Sequence, residues 1–252
     1  MLKLTVRTVV VVALTGCASA PSLSLAPVPA RPIRAVVFCV EGAGNFGGAC
    51  EVLRRTVAEA DLPLEVQSFR WSYGPGRVIA DQTDYEHARA AGRKLALEVR
   101  ELRSCHPGLA IDLVAHSAGS AVALAAAEEL PPGSIDRMIL VAPAVSTEYD
   151  LRPALAACRQ GIDVFLSARD FWVLGLGVAL VGTTDRHWTT AAGWAGFSPP
   201  GDAFVGAYAQ LREHPWVPCD VASGNLGGHY GVFRPAYLRE NVVPLLSDSA
   251  CR

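Results

Sequence analysis

Apolar residues in this chain gather into short unbroken runs, separated by segments with helical spacing. Ala35-Val36-Val37-Phe38-Cys39-Val40 is continuous and suits a strand buried on both faces of a sheet. A glycine-rich turn from Gly42 to Gly47 follows, and Ala49, Leu53, Val57 and Ala60 then recur at helical spacing. Leu64 to Trp71 alternates as a second strand. The clearest helix runs from about Asp84 to Arg103: Tyr85, Ala88, Gly92, Leu95, Val99 and Leu102 form one stripe. Thr83 and Glu86 have capping-box spacing, and Pro107-Gly108 closes the helix. Ala110–Ala115, Met138–Ala142 and Ile162–Leu166 are further strand candidates. The Ala-rich Val122–Leu130 has helical composition and stops before Pro131-Pro132-Gly133. This β-α-β-α alternation predicts an α/β fold with a mostly parallel central sheet and helices on both faces. Ligands of such sheets bind beyond the carboxyl ends of the strands, so chemistry is expected just after each strand.

One of those ends is distinctive. Asp112-Leu113-Val114-Ala115-His116-Ser117-Ala118-Gly119 carries an apolar strand into a serine with small residues two positions away on each side. This is the pattern of a nucleophile elbow, a sharp strand-to-helix turn that lifts a serine hydroxyl to the edge of the sheet. Bulkier side chains at Ala115 or Gly119 would collide with neighbouring backbone.

Composition narrows the surroundings. The 252 residues are 51% apolar with a net charge of -2, enough for one sizeable core. No basic run or basic-aromatic interleaving occurs, so no nucleic-acid partner is expected. Residues 1–16 read as a signal peptide: Lys3 and Arg7 are followed by the short apolar run Thr8 to Leu14. Leu14-Thr15-Gly16-Cys17 resembles the bacterial lipobox, which implies cleavage before Cys17, lipidation of its sulfur and a membrane anchor. Ala18 after the cysteine favours the outer membrane of the cell envelope; an ordinary cleavage near Ala18-Ser19-Ala20 is the alternative. Residues 17–32 read as a Pro-rich tether, leaving 33–252 for the folded domain. Apart from Cys17 there are Cys39, Cys50, Cys105, Cys158, Cys219 and Cys251. Six cysteines in an exported chain permit disulfides, and their pairing stays open. Cys39 also fits as a buried thiol within its strand. No C-x-x-C or H-E-x-x-H is present, so no metal site is expected, nor any cofactor.

From the elbow and the order of elements, roughly residues 33–235 resemble an α/β-hydrolase of the lipase/esterase type. The resemblance implies an acid and a histidine downstream of Ser117, in that order. His229, in Gly227-Gly228-His229-Tyr230-Gly231, fits the base. His87 and His106 precede the serine, His116 adjoins it, and His187 and His214 lack a small-residue loop. Asp170, after the strand ending Phe165-Leu166-Ser167, fits the acid; Asp150 and Asp185 are alternatives. The oxyanion donors are expected at the backbone N–H of Ala118 and, in Glu41-Gly42-Ala43-Gly44-Asn45, at Ala43, with Gly44 next. Glu41 stands where the family usually has histidine, which leaves open how that loop is held.

The implied activity is carboxylic ester hydrolysis through an acyl-enzyme, on a small acyl ester or a lipid. Two alternatives stay open: an acyltransferase using the same site, or a non-catalytic envelope protein with a binding or scaffold role. Gly42-x-Gly44-x-x-Gly47 also spells a dinucleotide fingerprint, but the next strand ends in Ser68-Phe69-Arg70 without the acidic residue. Phe171 to Val181 is an unbroken apolar run. A core helix packed on the sheet is the favoured expectation, and an acyl-binding wall or lid the other. Trp71, Tyr73, Trp188 and Trp194 are loop aromatics that could line the pocket.

Overall fold

The computed structural model describes residues 32–198 and 206–250. The proposed signal peptide, Cys17, most of the tether and Cys251 lie outside the described residues. Six strands form one sheet: β1 (Ala35–Val40), β2 (Leu64–Phe69), β3 (Ala110–His116), β4 (Arg137–Val141), β5 (Ile162–Leu166) and β6 (Leu211–Pro215). Their order is β2-β1-β3-β4-β5-β6 and every pairing is parallel. β1, β3 and β4 are buried almost throughout, as their largely apolar sequences require.

Helices cover both faces. α1 (Gly48–Glu59) lies over the face that buries Val37, Cys39, Leu53 and Val114. On the opposite face, α3 (Tyr85–Cys105), α4 (Gly119–Glu128) and α5 (Arg152–Ala157) pack over Phe38, Leu113 and Leu140. The short α2 (Val78–Thr83) leads into α3. The α3 cap departs from the Thr83–Glu86 expectation: Asp84 caps it, its carboxylate accepting the His87 N–H at 3.0 Å.

β6 has no apolar run, and the sequence alone did not mark it. It joins the sheet as an edge strand held through charge. Asp163 on β5 is fully buried and accepts from Arg212 and His214 of β6, both at 2.8 Å at closest, and from Arg137 of β4 at 2.6 Å. Burial alone would raise its pKa, but these hydrogen bonds hold it well below the usual carboxylate range.

Sheet order fixes where the site forms. β1 lies between β2 and β3, so chain direction across the sheet reverses there. The loops leaving β1 and β3 therefore face each other over a crevice, at the switch point where α/β sheets bind ligands.

Candidate active site

Ser117 follows β3 directly and has φ +52°, the left-handed conformation of a tight elbow. The turn is pinned on both sides. The Ser117 N–H donates to Val141 O at 2.9 Å, and Ser117 O accepts from the N–H groups of Ser120 and Ala144. Gly119 is required by the neighbouring chain: a Cβ there would lie 2.4 Å from Glu41 O and 2.8 Å from Val40 O. The small residue two positions after the serine is thus what lets the end of β1 pass beside the elbow.

His229 comes from the loop after β6, and Asp170 from the loop after β5. His229 Nε2 lies 2.9 Å from Ser117 Oγ, and His229 Nδ1 lies 2.5 Å from Asp170 Oδ2. With Nδ1 donating to the carboxylate, Nε2 is left to accept the serine proton. Asp170 is buried and His229 nearly so. The structure therefore joins the three side chains expected from sequence. The other acids do not reach the histidine. Asp150 is paired with Arg152 at 2.6 Å, and Asp185 accepts the Ser146 N–H at 2.9 Å.

The histidine loop is braced from several directions. Ser167 Oγ donates to Gly227 O at 2.7 Å, and the Gly227 N–H donates to Asn225 Oδ1 at 2.9 Å. His116 is a further brace that sequence reasoning set aside. Its Nε2 donates to His229 O at 3.1 Å, and its ring packs against those of His229, Tyr230 and Phe233. Burial pushes its pKa well below the ordinary histidine value, helped by the neighbouring His229, so this imidazole is neutral. Two of the remaining histidines serve elsewhere: His87 bonds Trp71 O, and His214 bonds Asp163.

Across the crevice lies Glu41-Gly42-Ala43-Gly44-Asn45. The buried Glu41 carboxylate accepts the Cys50 N–H at 2.7 Å, so it holds the start of α1, while Glu41 O accepts from Trp71 Nε1 at 2.8 Å. Burial pushes the Glu41 pKa up, opposed by the Cys50 and Ala49 N–H groups. A Cys39–Cys50 disulfide closes the same loop, which replaces the buried-thiol expectation for Cys39. Among the described residues Cys105, Cys158 and Cys219 are free thiols. The Gly44 N–H is taken by Asp81 Oδ2 at 2.7 Å, which leaves Ala43 as the donor to consider on this loop. The Ala118 N–H follows the serine on the elbow itself.

Ser117 and His229 open onto an apolar cleft of about 340 Å³. Val78 and Ile79 of α2 and Phe46 form one wall. Val173, Leu174, Val178 and Leu180 form the other. This second wall is the Phe171–Val181 run, and it corrects the core-helix expectation. Phe171–Gly177 winds as a π-helix and continues into α6 (Val178–Val181), with Trp172 and Leu180 largely exposed. None of the four loop aromatics lines this cleft: Trp188 and Trp194 border a separate hollow behind the wall, and Tyr73 stacks on His87. No group of three His, Cys, Asp or Glu among the described residues could hold a metal ion.

The doubly wound parallel sheet, with a serine elbow after β3, defines an α/β-hydrolase. Residues 32–175 match the family described as serine aminopeptidase, S33, and the chain belongs to that family of serine hydrolases. Ser117 and Asp170 fall within the match and His229 beyond it. Human monoglyceride lipase is 28% identical over 117 residues, covering 46% of this chain and 37% of that protein. The chain thus spans little more than a third of that relative. LpqC, a poly(3-hydroxybutyrate) depolymerase from Bordetella parapertussis, superposes with a TM-score of 0.50 at 15% identity. That superposition covers 86% of this chain and 82% of LpqC, a likeness of fold.

Proposed function

We propose that this protein hydrolyses carboxylic esters of apolar acyl groups through an acyl-enzyme on Ser117. The observation that carries the reading is the hydrogen-bonded line Asp170–His229–Ser117 at the floor of an apolar cleft. As Ser117 Oγ attacks the ester carbonyl carbon, His229 Nε2 takes its proton. Asp170 stabilises the imidazolium that results. The N–H groups of Ala118 and Ala43 receive the oxyanion; losing one such donor typically costs about 2.7–4 kcal/mol of transition-state stabilisation. Collapse breaks the ester C–O bond, and the alcohol leaves with the proton from His229. Water then repeats the sequence on the acyl-enzyme and frees the acid. An alcohol in place of that water would make the site an acyltransferase.

The lining of the cleft favours esters over peptides. An aminopeptidase must hold a free α-ammonium, for which an anionic partner is the natural counterpart. Among the described residues none that lines the cleft is acidic, and its walls are almost wholly apolar. The name of the human relative, a monoglyceride lipase, agrees with ester cleavage.

The reading extends to location. Export, lipidation of Cys17 and anchoring in a bacterial envelope, with the outer membrane favoured, are supported by Leu14-Thr15-Gly16-Cys17. The Cys39–Cys50 bond adds support, since disulfides persist in oxidising compartments.

A fluorophosphonate probe and a chain-length series of nitrophenyl esters test the chemistry. Ser117-dependent labelling with turnover rising beyond acetate is the expected result. Absence of labelling in folded protein would leave the non-catalytic binding role instead. A Cys17→Ala protein that still sediments with membranes would remove the anchor.

A further inference from the structure

Helix α2 touches both halves of the site. Val78 and Ile79 line the cleft, and Gln82 Nε2 donates to Gly182 O at 3.2 Å, just beyond the end of the opposite wall. Asp81, on the same short helix, is fully buried. Its Oδ2 accepts the Gly44 N–H at 2.7 Å and Ser72 Oγ at 2.5 Å, and its Oδ1 accepts the Tyr73 N–H at 2.8 Å.

The Gly44 bond acts on the residue before it. The Asn45 N–H donates to Gly42 O at 3.1 Å, closing a turn with Ala43 and Gly44 at its centre. Gly44 has φ +84°, and a Cβ there would meet the Phe46 ring at 2.6 Å and Val78 at 3.0 Å. The turn's own hydrogen bond uses neither central N–H. The Gly44 N–H fixed on Asp81 holds the central peptide of the turn and so keeps the turn closed, and its Asn45–Gly42 bond sets the preceding peptide plane, which carries the Ala43 N–H.

We infer that Asp81 is a positioning residue that ties the oxyanion loop to the acyl-binding helix, so that an acyl chain seated on α2 steadies the Ala43 donor. The inference rests on the ester-hydrolase reading. A carboxylate suits the task because it offers acceptors alone, here to two backbone amides and a hydroxyl. Asparagine keeps the shape but turns a donor toward one of these donors.

The test compares wild type with Asp81→Asn on nitrophenyl acetate and hexanoate. It also measures affinity for an alkylboronic acid, which forms a tetrahedral adduct on the serine, and for the matching alkanol, which only fills the cleft. A donor out of place should lower kcat roughly 10- to 100-fold. Boronic-acid affinity should fall in parallel, while KM and alkanol affinity stay within about twofold and the hexanoate advantage in kcat shrinks. Unchanged kcat and boronic-acid affinity in folded Asp81→Asn overturns the inference, as does a loss confined to KM. If that variant lacks a cooperative thermal transition, Ser72→Ala decides. It removes one bond to the same Oδ2, so a drop of a few fold in kcat and boronic-acid affinity supports the inference, and no change overturns it. Wild-type protein without esterase activity removes the functional reading and this inference together. Active wild type beside unaffected variants removes the inference alone.

Discussion

Two apolar segments flank Ser117 and have opposite fates. α4 runs Gly-Ser-Ala-Val-Ala-Leu-Ala-Ala-Ala-Glu and is buried from Gly119 to Ala127. The second wall of the cleft, Phe171–Val181, is as apolar but leaves Phe171, Trp172, Val173 and Leu180 exposed. Side-chain size separates them. The alanines of α4 let α3 come close enough that a Cβ on Gly92 would lie 2.7 Å from that of Ala125. The bulky residues of the wall cannot close so tightly on their neighbours. They stand around a hollow, with Leu174 and Val178 as their footing in the core. Apolar content therefore marks a segment as shielded from water in some state of the protein. Size decides whether the shield is the core or a ligand.

The largest effect should come from Ser117→Ala, which leaves both segments intact. Loss of the nucleophile in a comparable triad lowers kcat by about 10⁶-fold, and nitrophenyl ester turnover is the measure. Leu180→Ser should sharpen the contrast next. Its thermal midpoint should stay near wild type, while kcat/KM on long-chain esters falls roughly 10- to 100-fold, the worth of about 1.5–3 kcal/mol of apolar burial. Ala123→Leu should do the reverse. Overpacking typically costs about 1–3 kcal/mol, read by denaturant unfolding, with chain-length preference retained in the folded fraction. A wall substitution that lowered stability as much as the α4 one would break the comparison.

The smallest effect concerns His116. Buried and neutral in the folded state, it gains a proton on unfolding once pH drops below its ordinary value near 6.5. The unfolded chain then binds more protons, so this contribution to stability is lost as pH falls. The slope is at most about 1.4 kcal/mol per pH unit. His116→Gln can still donate to His229 O, and its midpoint should fall less between pH 6.5 and 5 than that of wild type.

The residues expected at the site stood out where one residue type does one job at a fixed place: a serine between small neighbours, a histidine among glycines, an aspartate after a strand. β1 was legible because a strand buried on both faces reads as an unbroken apolar run, and β3 and β5 because a single aspartate interrupts an otherwise apolar run in each. β6 was not, because it joins the sheet through Arg212 and His214 on Asp163, partners on distant elements that no local pattern announces. The same holds for Asp81, Glu41 and the Cys39–Cys50 pair, which all grip the loop after β1. The α3 cap moved one residue because Thr83 ends α2 with its hydroxyl on Ile79 O, and the Asp84 carboxylate takes the His87 N–H. The Phe171–Val181 run was ambiguous for the reason the comparison gives: hydrophobicity shows that a segment avoids water, and only its neighbours show how.

The left-handed backbone of Ser117 has a consequence for persistence rather than rate. A non-glycine residue held there costs on the order of 1–3 kcal/mol, and glycine would be relieved of it. An inert Ser117→Gly protein is therefore expected to outlast the native one on heating, even though it forfeits the hydroxyl's bond to His229. Selection for durability alone would drift away from serine at this position. Its presence marks a demand on the chain that endurance does not explain.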